Sequence, residues 1–159
     1  MVVRAVALVA GYRDPAVILI DQLKEVYIDG VLDTIDTTQW YPKIMREDYT
    51  VGLNITETAV DDPDPAFYEN YVCGAMRNYT GYCNLEVDKM VDEQSATSDV
   101  AKRKQMVWAI EKKLAEDDAR PILFYTRAAN CHHPKVRGLI TQVNSIYNGQ
   151  RFEDLWLDQ

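Results

Sequence analysis

Apolar residues recur along this chain with two periods, and the alternation between them predicts its elements. Val2 to Val9 is a β-branched run suited to a buried strand. Asp14-Pro15 then predicts an N-cap and first helical residue, since aspartate supplies an acceptor and proline wastes no donor. Ala16, Leu19, Ile20 and Leu23 follow at helical spacing, with Asp21, Gln22, Lys24 and Glu25 on the wetter side. Gly30 breaks the helix, and Val31 to Ile35 alternates as a second strand. Strand, helix and strand in such a short span make a βαβ unit.

Further on, Thr37 or Thr38 can cap a short helix carrying Trp40, Tyr41, Ile44 and Met45. Tyr49 to Ile55 reads as a third strand. Val60-Asp61-Asp62-Pro63-Asp64-Pro65 reads as a loop, because two prolines prevent regular pairing. Asn84 is placed to cap a helix bearing Val87, Met90 and Val91. Thr97 or Ser98 is placed to cap a longer one whose inner face holds Val107, Ile110 and Leu114. Pro121 ends that region, and Ile122 to Tyr125 reads as a fourth strand. Beyond Cys131 little periodicity remains except Val136 to Ile140, yet the chain finishes on Phe152, Leu155, Trp156 and Leu157, which need a surface to bury against. One α/β body with a tail is the expected organisation.

Composition narrows the function more than the fold. A formal net charge of −8 over 159 residues suits neither nucleic acid nor an anionic membrane. The basic knot Lys102-Arg103-Lys104 reads as a solvated helix face. No apolar run approaches the about 20 residues of a membrane span, and Met1 to Val9 lacks the marks of a secretory signal. Cys73 and Cys83 bracket a loop with Gly74 and Gly81, for which a disulfide and two reduced thiols both remain open; Cys131 is left over and expected to be buried.

Candidate chemistry is sparse. Asp61, Asp62 and Asp64, with Glu57 nearby, have prolines where a calcium loop needs its glycine. Consecutive acidic residues also make a poor hydrolase pair. A loop at a cleft mouth, recognising a ligand's cationic or hydroxyl groups, is the better functional reading. Cys131-His132-His133 is read as a surface histidine pair, because adjacent strand residues point to opposite faces and cannot readily share one metal ion. No glycine-rich phosphate loop follows the first strand, and no cofactor is implied. Tyr68, Tyr71, Tyr79 and Tyr82 flank the acidic and cysteine loops, and their flat faces with hydroxyls suit a sugar ring or a peptide side chain.

Several stretches stand in a recognisable order: Asp14-Pro15 through Glu25, the Tyr49 segment, Asp62-Pro63-Asp64-Pro65-Ala66-Phe67, the Cys73/Cys83 loop, the Lys102-Arg103 helix, and Arg151-Phe152-Glu153-Asp154-Leu155-Trp156-Leu157. Together they resemble the last part of the dipeptide/oligopeptide class of extracellular solute-binding proteins of ABC importers. The resemblance implies a periplasmic-binding-protein-like lobe, a mixed sheet flanked by helices. Residues 1–130 would form the C-terminal lobe, and residues 131–159 would return toward an N-terminal lobe that this chain does not contain. It implies a small-molecule or peptide solute held between two lobes, docking on the membrane permease, and no enzymatic activity. It also implies a Cys73–Cys83 disulfide and a periplasmic location, with the signal peptide in the N-terminal part. Asp61, Asp62, Asp64, Tyr68, Tyr79 and Tyr82 are then expected to face the cleft. The tail is expected to pair with another copy or to expose apolar surface.

Two positions depart from the class. Where peptide binders carry an aspartate for the ligand's amino group, this chain has Ala59, which widens the expected solute beyond peptides. Tyr27 stands where a glycine is usual and should perturb only a turn. A cytoplasmic ligand-sensing module built on the same lobe is the alternative reading, favoured if the two cysteines are free.

Overall fold

The computed structural model describes residues 1–5, 9–56, 60–125, 129–141 and 151–158, and side chains from residue 11 onward apart from Met1. The chain forms two compact units, Met1–Glu57 and Thr58–Gln159.

The first unit is the expected βαβ arrangement. Strand β1 (Val2–Ala5) leads through helix α1 (Val9–Leu23) and one 3-10 turn (Lys24–Val26) to strand β2 (Asp33–Asp36). The strands pair in parallel with Val2 opposite Asp33 and Ala5 opposite Asp36, as a helical crossover requires. Helix α1 starts before Asp14, so Pro15 is an interior residue rather than the first. Gly11, in the first turn, lies close against Ile55: a Cβ there would come within 2.6 Å of Ile55 Cδ1. Pro15 then leaves one ladder bond unmade. Tyr27 ends the 3-10 turn with φ of 62°, a left-handed conformation that glycine adopts without strain. Its ring is exposed, so the departure is confined to the turn.

Helix α2 (Thr37–Met45) is capped by Asp36, not by either threonine. The Asp36 carboxylate accepts from the Thr38 backbone N–H at 2.9 Å and from its hydroxyl at 2.7 Å. Trp40 and Ile44, one turn apart, are buried. The expected third strand does not form as a ladder among the described residues. The Tyr49 N–H is taken by the Glu47 carbonyl in a turn, and only Gly52 makes a bridge. Ile55 lies against Gly11 and Tyr49 against Gly52, whereas Val51 is exposed.

In the second unit the acidic stretch is the start of a helix rather than a loop. Helix α3 (Pro63–Asn70) takes Pro63 in its first turn and Asp62 as its cap, a position where a missing N–H costs nothing. A turn-rich loop follows, and Cys73–Cys83 closes it as a disulfide with Cα atoms 4.5 Å apart. Helix α4 (Leu85–Ser95) is capped by Asn84, as expected. Helix α5 (Val100–Glu116) is capped by Asp99, whose carboxylate accepts from Lys102 N–H at 2.8 Å; Thr97 and Ser98 lie just outside it. Phe67, Val87, Val91, Ile110, Leu114 and Ala119 form one core, with Tyr71, Val72, Tyr82, Met90 and Val107 against it.

The C-terminal stretch is less regular. Ile122 to Tyr125, expected as a strand, has no ladder partner among the described residues and is exposed. Strand β3 (Val136–Arg137) pairs antiparallel with β4 (Trp156–Leu157), and Arg137 bonds Asp158 at 3.0 Å. Gly138 sits at φ of 77°, where a Cβ would strike the Asp154 carbonyl oxygen. Cys131, expected buried, is exposed, and the described residues on either side of it are exposed as well. His132 and His133 are exposed as expected.

Candidate functional site

The acidic residues are bound into a ring by α4 and α5. Asp62 faces Arg103 in a two-pronged ion pair, Nη1 to Oδ2 at 2.7 Å and Nη2 to Oδ1 at 2.6 Å. Asp62 Oδ1 also accepts the Asp64 N–H at 2.9 Å as the helix cap. The remaining guanidinium edge, Nε, donates to Gln94 Oε1 at 3.0 Å. Gln94 Nε2 donates to Asp64 Oδ1, closing the ring. The Arg103 guanidinium lowers the Asp62 pKa, and Asp62 raises that of Arg103 in return. Arg103 therefore departs from the solvated-face expectation: its planar fork matches a carboxylate two bonds at a time.

Sequence reasoning missed Gln94, although it left a signal. Val87, Val91 and Gln94 fall on one face of α4, and all three are fully buried. A glutamine on an apolar stripe needs partners for its amide, and here they are Arg103 and Asp64. Asn70 is a parallel case, buried between the Ala66 carbonyl at 2.9 Å and Arg120 Nη1 at 2.8 Å.

The tyrosines are distributed around the same helices. Tyr68 on α3 donates to Asp92 on α4 at 2.6 Å, and that bond raises its pKa. Tyr82, at the end of the disulfide loop, donates to Asp117 Oδ2 at 2.7 Å. Asn84 donates to the same oxygen at 2.8 Å, and Lys113 to the other at 3.0 Å. Burial, aided by Asp117, pushes Tyr82 up to about 12. The bonds from Tyr82, Lys113 and Asn84 hold Asp117 down to about 2. Asn78 pins the disulfide loop from inside, donating to the carbonyls of Val72 at 3.1 Å and Tyr82 at 2.6 Å.

Of the six expected ligand-facing residues, Asp62 and Asp64 are brought together, and Tyr68 and Tyr82 are tied to α4 and to the end of α5. Asp61 is exposed, and Tyr79 is half-buried in the disulfide loop. Glu57 and Ala59 lie outside the described residues. An open groove of about 680 Å³ lies in the first unit between β2 and α2, flanked by Asp33, Asp36, Lys43 and Arg46; none of the six lines it. Among the described residues no cluster of His, Cys, Asp or Glu could hold a metal ion, and no helix is long and apolar enough to cross a membrane.

No protein-family model matches the chain, and no curated protein matches it. Solved structures do. The peptide-bound DppA of Helicobacter pylori, an ABC transporter-associated periplasmic binding protein, superposes with TM-score 0.75 over 92% of this chain at 16% identity. The oligopeptide-binding protein AppA of Bacillus subtilis, with a nonapeptide, gives 0.63 over 92% at 19% identity. The ABC transporter substrate-binding protein CtaP of Listeria monocytogenes gives 0.59 over 65% at 28% identity. The chain has the fold of the peptide-class ABC solute-binding proteins. The resemblance read from the sequence is thus borne out, and these neighbours are substrate-binding proteins, not enzymes. The chain spans 29% of DppA and of AppA and 21% of CtaP.

Proposed function

We propose that the chain is the C-terminal lobe of a solute-binding protein that delivers a peptide or other small solute to an ABC permease. The superposition on peptide-bound DppA over 92% of the chain carries this reading. In it, the other lobe supplies the opposite wall of a cleft, and residues 131–159 return toward that lobe. Closure of two lobes on a solute is the usual way such a site couples binding to a second event. The Cys73–Cys83 disulfide favours export to an oxidising compartment over a cytoplasmic sensor.

The six candidate residues divide into two roles. Asp61 and Tyr79 meet the solute, one with a carboxylate and the other with a flat ring and hydroxyl. Asp62, Asp64, Tyr68 and Tyr82 hold the loops that present them. Calorimetry with a panel of tetrapeptides, free and N-acetylated and including Ser-Thr-Ser-Ala, tests the reading. The isolated chain binds more weakly than micromolar, because half of the site is absent, whereas a two-lobed protein containing it binds at micromolar or tighter. Micromolar binding by the chain alone, or silence of the two-lobed protein toward every member, would sink it.

A further inference from the structure

The acidic stretch was expected to act through its charge, but the ring described above gives two of its carboxylates other work. Asp62 spends both oxygens on Arg103 and one of them also on the Asp64 amide. Asp64 receives the amide of Gln94, a side chain with no exposed surface. Arg103 in turn points three of its N–H groups inward, two to Asp62 and one to Gln94. The ring joins the entry to α3 to two segments 30 or more positions further on, the last turn of α4 and the first turn of α5. Asp61 immediately precedes the capping residue, so the direction in which it leaves α3 is set by how that cap is held.

We propose that Arg103 and Gln94 are positioning residues for solute binding: they clamp the Asp62 cap and so fix the pitch at which Asp61 leaves α3 toward the site. This rests on the solute-binding reading above. It makes Asp62 and Asp64 parts of a frame rather than ligands for a solute cation. The two accounts predict opposite signs for one variant. If Asp62 met a cationic solute directly, Arg103→Gln would release its full charge, and positively charged peptides would bind as well or better. If Arg103 positions the loop, the same variant weakens neutral, cationic and acetylated peptides alike.

The test has two arms. In the first, the two-lobed protein and its Arg103→Gln, Arg103→Lys, Asp62→Asn and double Asp62→Asn/Arg103→Gln variants are titrated with the tetrapeptide panel. Asp62→Asn retains a side chain that caps helices well, so folding is preserved while the fork is lost. Each single variant loses about tenfold in affinity whatever the peptide's charge, the scale expected for breaking a charged hydrogen bond. Lysine does not rescue, because an ammonium cannot reproduce the fork, and the double variant is no worse than the weaker single one. In the second arm, amide exchange on the chain itself follows the Asp64 N–H, which speeds about tenfold or more in Arg103→Gln, while α4 and α5 core amides keep their protection. Unchanged exchange at Asp64, or stronger binding of cationic peptides to Arg103→Gln, would overturn the clamp. Silence of the parent protein toward the whole panel would count against the solute-binding reading alone, and the exchange arm would still decide the clamp.

Discussion

Residues 63–120 and the stretch after Pro121 carry similar densities of apolar side chains, yet among the described residues only the first region buries any of them fully. Val87, Val91 and Ile110 are fully buried between α4 and α5, whereas Phe124 is 54% exposed and Tyr125 is 84% exposed. Hydrophobicity alone does not distinguish the regions. What does is whether each apolar stripe has a facing stripe within the same unit. Helices α3, α4 and α5 each begin at a side-chain cap (Asp62, Asn84, Asp99), and α4 and α5 turn matched faces to one core. Among the described residues the stretch after Pro121 has one two-residue antiparallel pair and adds none to that core.

The largest difference between the regions should appear on truncating a core residue. Ile110→Ala removes a fully buried side chain and should cost about 3 kcal/mol, within the range for isoleucine-to-alanine changes in cores. Urea unfolding followed by circular dichroism measures it. A loss under 1 kcal/mol would mean that the α4–α5 contact is not the stabilising core.

The disulfide loop comes next. Replacing Cys73 and Cys83 together with serine should cost about 2–3 kcal/mol on the chain-entropy account for so short a loop. The loop should nonetheless keep its shape, since Asn78 still bridges Val72 and Tyr82, and Asp88 still accepts the Cys73 N–H at 3.2 Å. Nuclear magnetic resonance shifts of Asn78 and Tyr82 would show this. A large change in both would assign the shape to the sulfur bridge alone.

These two regions also mark what was legible in the sequence. The α4 cap, the inner faces of α4 and α5 and the βαβ unit were readable, because local propensity and burial agree there. The start of α1 was not, because the helix begins at Val9 and carries the Asp14-Pro15 signal in its interior. The stretches at Tyr49 and Ile122 look like strands by composition, but a strand is defined by a partner, and no local pattern supplies one. The acidic stretch was legible as a special site but not as a cap. Its meaning depends on Arg103, forty-one positions away, and on Gln94, a polar residue in an apolar stripe.

An acid titration separates the regions by charge. Asp117 has its pKa held below the ordinary carboxylate value, at about 2, and Asp62 is lowered as well. A carboxylate depressed in the folded state contributes stability that is complete above its unfolded pKa, near 4. That contribution is lost as the pH falls through the folded value. The helical region should therefore lose stability between about pH 4 and pH 2, and Asp117→Asn should flatten that slope. Equal slopes in parent and variant would remove Asp117 from the account.

The smallest effect on stability is expected just after Pro121, where it says most about association. Leu123→Ser with Phe124→Ser alters two exposed side chains that have no ladder partner among the described residues, so unfolding free energy should move by less than about 0.5 kcal/mol. The same change should reduce binding of a hydrophobic dye and any concentration-dependent association in sedimentation, because contiguous exposed apolar surface drives both. Ile122, Leu123, Phe124 and Tyr125 are consecutive and uncharged, the composition that pairs most readily with another chain. If the parent chain is already monodisperse and dye-silent, these residues are covered within the chain, and the contrast between a buried region and an exposed one fails. If the double variant instead costs several kcal/mol, residues 122–125 belong to a second core, and the contrast between a buried region and an exposed one fails from that side too.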